Sequence, residues 1–156
     1  MPRQEGIKLI AQNKMARHEY FIEETYECGL ALVGSEVKSL RSGRVNLKES
    51  FCVIRKDEIF TEGMHISPYE HGSFSNPDPM RPKKLLLHKA EIRKLSSLVA
   101  RQGYALIPLS VYLKNGRMKM ELGLCKGKHI YDKRSDAAKT DARREIERAL
   151  KNKSRI

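Results

Sequence analysis

Tyr104-Ala-Leu-Ile-Pro-Leu-Ser-Val-Tyr-Leu-Lys-Asn-Gly-Arg-Met-Lys-Met-Glu-Leu-Gly-Leu-Cys125 reads as two strands and a turn. Asn115-Gly116 sits at the middle, in Lys114-Asn115-Gly116, and Asn-Gly is the strongest short signal for a two-residue hairpin. On the return half, Met118, Met120, Leu122 and Leu124 alternate with Arg117, Lys119, Glu121 and Gly123. A period of two places the first set on one face of a strand and the second on the other. The second face leans basic. A hairpin this long with one apolar face needs partners to cover it, and the chain upstream supplies them.

Glu19 to Leu32 also alternates, with Tyr20, Ile22, Tyr26, Leu30 and Leu32 on one parity and Glu23, Glu27 and Gly29 on the other. This predicts a strand, bent at Cys28-Gly29. Glu27 is either a solvated strand-face carboxylate or an acceptor for RNA amino and hydroxyl groups. Ser50 to Ile54 and Glu58 to Ile66 predict a second hairpin, turning at Arg55-Lys56-Asp57. Gly34 to Gly43 predicts a short helix with Ser35 as N-cap, Glu36 at its positive start and Gly43 past its end. Lys38 and Arg41 on that helix are solvent charges or phosphate contacts. Leu85 to Leu87 is an apolar entry to a helix over His88 to Gln102. Ile92, Leu95, Leu98 and Val99 repeat there at three-to-four spacing, and Gly103 ends it. Leu86 is either a core or helix-entry residue or an exposed stacking residue. The first 18 residues form a polar arm able to add a short strand. Ser67 to Pro82 holds Pro68, Pro77, Pro79 and Pro82 and reads as a long exposed loop, a class that is often functional.

The chain has 156 residues, 31 Lys plus Arg against 19 Asp plus Glu, and a net charge of +12. One domain of this length buries a core without staples. The charge favours polyanionic partners, nucleic acid before an anionic membrane. No apolar run is long enough to span a bilayer, and a cytoplasmic location is expected. Cys28, Cys52 and Cys125 are odd in number and far apart, which predicts reduced, buried thiols. The histidines are scattered, so no metal or cofactor is expected. Gly123-Leu-Cys-Lys-Gly-Lys-His129 fails as a phosphate-binding loop, having three residues between its glycines and His129 where Ser or Thr belongs. No other stretch forms a catalytic constellation, and the expectation is that the protein is not an enzyme.

From Lys126 onward the composition changes. Eleven Lys or Arg face five Asp or Glu, half of the net charge in a fifth of the chain. Ala142, Ile146, Ala149 and Leu150 make one thin stripe at helical spacing. A helix with so little to bury is marginal alone, so this tail is expected to become helical on an anionic surface. The chain therefore divides into a body at 1–126 and a basic C-terminal tail at 127–156. The body is mainly β with added α. Five or more short strands with helices inserted between hairpins fit a small closed barrel of the OB type, with short helices. With no Trp and 6% aromatics, stacking material is thin. That points to structured RNA gripped by phosphate, ribose and a few apolar contacts.

Four stretches in order carry a resemblance: Asn13-Lys-Met-Ala-Arg-His-Glu-Tyr-Phe-Ile-Glu-Glu24, Gly34-Ser-Glu-Val-Lys-Ser-Leu-Arg41, Arg81-Pro-Lys-Lys-Leu-Leu-Leu-His88 and Lys126-Gly-Lys-His-Ile-Tyr-Asp-Lys-Arg-Ser-Asp136. Together they resemble the SmpB family of bacterial tmRNA-binding (SsrA-binding) proteins, collinear from about residue 8 to the C-terminus. The resemblance implies an adaptor, not a catalyst. Such an adaptor binds the tRNA-like part of tmRNA and brings it to stalled ribosomes in trans-translation. It implies tmRNA contacts at Glu27, Leu86 and Lys119, resolving the two open readings toward function. Lys38, Arg41, Lys126 and Lys128 join them as basic tmRNA-binding candidates. Tyr131 and the Asp132-Lys133-Arg134 triplet match positions that family members place in the decoding centre of the small subunit, with the tail in the empty mRNA path. Tyr131 stands where some members carry His, and a Tyr cannot become cationic near neutral pH. His129 replaces a more usual Lys. A monomer is expected. The competing reading is a ribosomal or ribosome-assembly protein with a basic extension.

Overall fold

A computed structural model describes residues 6–69 and 76–128. In chain order the elements are β1 (Ile7–Gln12), α1 (Ala16–Glu19), β2 (Tyr20–Leu30), α2 (Gly34–Arg41), β3 (Val45–Asn46) and β4 (Phe51–Arg55). They continue with β5 (Glu58–Glu62), β6 (His65–Ile66), β7 (Lys83–Leu86), α3 (Lys89–Gln102), β8 (Ala105–Lys114) and β9 (Arg117–Gly127).

The hairpins bury their apolar faces by closing on one another. The sheet runs β1-β8-β4-β5-β7-β2-β9, and β9 pairs back onto β8. Six strands therefore form a ring, with β1 laid along the outside of β8. Every pairing is antiparallel. Two seams are thin: β4 meets β8 at Cys52–Leu106, and β2 meets β7 at Gly29–Leu86 and Leu30–Leu85. Met118, Met120, Leu122 and Leu124 point inward, as the alternation of β9 requires, and join Leu106, Val111, Ile59 and Leu85 in the core. Ile92 and Leu95 bring α3 onto it. The turn between β8 and β9 has Asn115 at φ 49 and Gly116 at φ 79. Lys56 (φ 50) and Asp57 (φ 61) make the β4–β5 turn in the same way, one residue shorter than the sequence suggests.

Two register shifts and one helix start set details that the sequence reading did not. The register of β2 runs on regularly through Cys28-Gly29 and shifts instead between Ile22 and Glu24. The extra residue changes which face is inward. Tyr20 and Ile22 consequently pack with Ala16, Ile107, Leu109 and Cys125 in a second cluster, while Cys28 enters the main core. In β8 a shift between Pro108 and Ser110 turns Val111 inward, which leaves Tyr112 and Lys114 facing out. Ser35 is not the N-cap of α2. Val33 holds that position, and its N–H donates to Glu36 Oε1 at 3.0 Å.

The apolar entry before α3 is a strand, β7, and it contains a fully buried lysine. Lys83 Nζ donates to the carbonyls of Met64 at 2.7 Å and Pro79 at 3.1 Å. Arg81 bridges to the buried Glu36, with Nε to Oε2 at 3.3 Å. Asn76 exchanges side-chain bonds with the Tyr69 main chain. The described parts of the Ser67–Pro82 segment are thus pinned at their base to α2 and the ring. All three cysteines are buried free thiols.

Candidate nucleic-acid interface

Strand pairing decides which side chains meet. Gly29 pairs with Leu86 of β7 on one side and Lys119 of β9 on the other, and Lys119 pairs with Tyr112 of β8. One row therefore crosses four strands in the order Tyr112, Lys119, Gly29, Leu86. Each residue is out of phase with a buried neighbour: Val111, Met120, Cys28 and Leu85. The row consequently lies on the outside of the ring. Glu27 stands two residues from Gly29 on β2 and so on the same face. Glu27, Leu86 and Lys119, separated by up to 92 positions in sequence, occupy adjacent strands on one surface.

Leu86 is 51% exposed while Leu85 is 1% exposed. A strand starting just after Pro82 fixes this phase. Gly29 lets Leu86 lie flat, since a Cβ there would stand 3.1 Å from Leu86 Cβ and 3.2 Å from its Cδ1. On one side of the ridge is a hollow of ≈ 560 Å³ lined by Glu27, Lys84, His88, Glu91 and Lys119. On the other is a hollow of ≈ 320 Å³ lined by Leu30, Leu32, Val37, Arg117 and Met118. Gly29, Leu86 and Lys119 belong to both.

The Glu27 carboxylate is held in place. Tyr112 donates its hydroxyl to Oε2 at 2.5 Å, and Lys114 Nζ lies 3.3 Å from both oxygens. The Tyr112 hydrogen bond, followed by the Lys114 bond and the charges of Lys114 and Lys119, holds the Glu27 carboxyl below the usual range. Burial first, and then the Glu27 bond and charge, push the Tyr112 phenol up. Glu27 is ionised at neutral pH, and an ionised carboxylate offers about four lone-pair sites. It can accept from a ribose hydroxyl or base amino group without releasing Tyr112. Tyr112, Lys114 and Gly29 were not singled out from the sequence. The bulge that turns Tyr112 outward leaves no mark on residue type, and the pairing of Gly29 with Leu86 appears only once β7 exists.

The remaining basic candidates lie elsewhere. Lys38 and Arg41 are exposed on α2, beside the Val37 edge of the smaller hollow. Lys38 Nζ also sits 5.3 Å from the Tyr69 ring. Lys126, at the other end of β9, is roughly 23 Å along the strand from Lys119 at about 3.3 Å per residue, and Lys128 follows just past the strand. Lys126 sits over the Tyr104 ring at 4.9 Å, and Lys128 over Phe21 at 4.7 Å with its Nζ donating to Arg17 O at 3.2 Å. Tyr131, Asp132, Lys133 and Arg134 lie outside the described residues. Among the described residues no group of His, Cys, Asp and Glu could hold a metal ion, and no helix is long and apolar enough to cross a membrane.

A family model described as SmpB protein matches residues 10–152. The chain is 58% identical over 156 residues to an SsrA-binding protein of Geobacillus thermodenitrificans, covering all of both sequences. It is 58% identical over 155 residues to an SsrA-binding protein of Clostridium botulinum (strain Eklund 17B / Type B), covering 99% of each. Among solved structures it resembles a chain described under "tmRNA-SmpB: a journey to the center of the bacterial ribosome". The identity is 46% and the TM-score 0.64, over 80% of this chain and 91% of that one.

Proposed function

The chain belongs to the SmpB family, and on that premise we propose that it binds the tRNA-like part of tmRNA (SsrA) and delivers it to stalled ribosomes for trans-translation. The observation that carries this reading is the convergence of Glu27, Leu86 and Lys119 on one exposed ridge, flanked by hollows on both sides. A closed ring holds those residues at fixed spacing, so it can read RNA shape rather than sequence. Leu86 supplies apolar contact, Lys119 a phosphate contact and Glu27 an acceptor for hydroxyl or amino groups. Lys38 and Arg41 extend the surface from α2.

Lys126 and Lys128, at the far end of β9, are further tmRNA contacts, and beyond them a second surface faces small-subunit ribosomal RNA. There the basic tail at 127–156 enters the decoding centre through Tyr131, Asp132, Lys133 and Arg134 and follows the vacant mRNA path. Ordering such a tail costs roughly 1–2 kcal/mol per residue, which favours discrimination over affinity. The protein acts as a cytoplasmic, monomeric adaptor and makes or breaks no bonds.

Removing residues 133–156 tests the division. tmRNA binding should persist while tagging on stalled ribosomes is lost. Loss of free tmRNA binding on truncation, with Glu27 and Lys119 substitutions silent, would overturn the two-surface scheme. RNA that co-purifies with the full chain should be enriched in tmRNA over bulk ribosomal RNA. Stoichiometric presence on every small subunit would instead mark a ribosomal protein.

A further inference from the structure

A third cavity, of ≈ 390 Å³, shares no residue with the two hollows beside Leu86. It opens between α1 and the β3–β4 loop, with the C-terminal half of α3 and the start of β8 behind it. Its volume falls in the range of small-ligand sites.

Its construction is specific. Met15 and Phe51 line it from different elements, and they are 45% and 46% exposed, so both present apolar surface that a ligand can cover. Tyr104 and Val99 add apolar lining. Lys126 stands over the Tyr104 ring, leaving a cation against this wall. The polar lining comes from Lys48, Glu49, Glu19 and Asn13, the last fixed by its Nδ2 donating to Pro108 O at 3.1 Å. Glu49 is held at φ 63, a left-handed conformation that costs a non-glycine residue about 1–2 kcal/mol.

A flat ring suits the apolar walls, hydrogen-bond donors on that ring suit the two carboxylates, and a phosphate suits Lys48, the one cation of the lining. We infer that this cavity is a binding slot for one unstacked RNA nucleotide, its base between Met15 and Phe51 and its phosphate toward Lys48. The inference goes beyond the ridge at Leu86 and depends on the proposed function only in taking RNA as the partner.

The test uses the full chain with 13C-methyl methionine and adenosine 5′-monophosphate as the probe. Met15 reports the slot, while the buried Met64 and Met120 report the fold. The nucleotide should shift the Met15 methyl, and ribose 5-phosphate, which lacks the base, should not. Phe51→Ala should weaken nucleotide binding by roughly 5- to 150-fold, the range for loss of one stacking partner. Phe51→Tyr should retain it, and Leu86→Ala should leave it unchanged. On RNA, weaker tmRNA binding by Phe51→Ala identifies the base as one of tmRNA. Intact tmRNA binding with reduced tagging identifies a ribosomal base. An unmoved Met15 methyl, equal shifts with ribose 5-phosphate, or a Phe51→Ala chain unaltered in both RNA assays would overturn the inference. Failure of the Leu86 ridge to bind tmRNA would leave the slot result standing, so the two readings fail separately.

Discussion

Leu85 and Leu86 are neighbours with opposite duties, and replacing each by alanine separates them. Leu85 is 1% exposed in the ring core. Its truncation leaves a cavity and costs about 2–5 kcal/mol, a drop in Tm of roughly 5–15 °C for a domain of this size. Leu86 is 51% exposed. A fully buried leucine is worth about 1.5–3 kcal/mol. Half of that is already realised over Gly29, so Leu86→Ala costs about 1 kcal/mol of stability. The other half, again about 1 kcal/mol, is released when RNA covers the ridge. Leu86→Ala should therefore weaken binding of the tRNA-like domain about fivefold. Urea unfolding measures the first quantity. Filter binding at one fixed salt concentration measures the second, because phosphate contacts make affinities comparable only at equal salt. If Leu86→Ala unfolds as easily as Leu85→Ala, or binds within twofold of the original chain, the ridge does not work as described.

Arg81→Met strands the Glu36 carboxylate, which is 3% exposed, and should cost about 3–5 kcal/mol in urea unfolding. Adding Glu36→Gln should restore most of the loss, since the amide oxygen can still accept from the Val33 N–H. Burial pushes the Lys83 ammonium down to about 8, against about 10.4 for an unfolded lysine. Between those pH values the unfolded chain holds more protons. Its contribution to stability therefore rises with pH, by about 3 kcal/mol in all. The difference in unfolding free energy between the original chain and Lys83→Met should climb from pH 8 to 10.5; a constant difference contradicts this. Asp57→Gly relieves a positive φ of 61° and should raise Tm by about 2–4 °C, equivalent to roughly 1 kcal/mol. A lower Tm would mean that the Asp57 side chain contributes more than its backbone conformation costs.

The long hairpin was legible because its turn needs positive φ at two positions and Asn115-Gly116 meets that need cheaply. The two longer helices were legible for similar reasons: periodic apolar residues and a glycine past each end. β3, two residues long, is too short for periodicity to register, and the strand read over Glu58 to Ile66 divides into β5 and β6 around Gly63 at φ 73. β7 was hidden by Lys83, since nothing in residue type says that a lysine will find two buried carbonyls. The apolar parity of β2 was read correctly, but the bulge after Ile22 divides it between two clusters. Glu27, Leu86 and Lys119 came from family likeness, and pairing brings them to one face. The fixing of Glu27 by Tyr112 was invisible, because it depends on a bulge in β8 that changes phase without changing composition.

β9 is hydrogen-bonded along nearly its whole length to β2 on one side and β8 on the other. The basic tail leaves from its C-terminal end, where the Lys128 N–H still donates to Glu19 O at 2.8 Å. A pull directed along β9 would load its two ladders together in shear. Hung from a free edge, the same tail would peel its strand away one bond at a time. The ring thus gives the tail a mechanical footing that can carry load while the body stays folded.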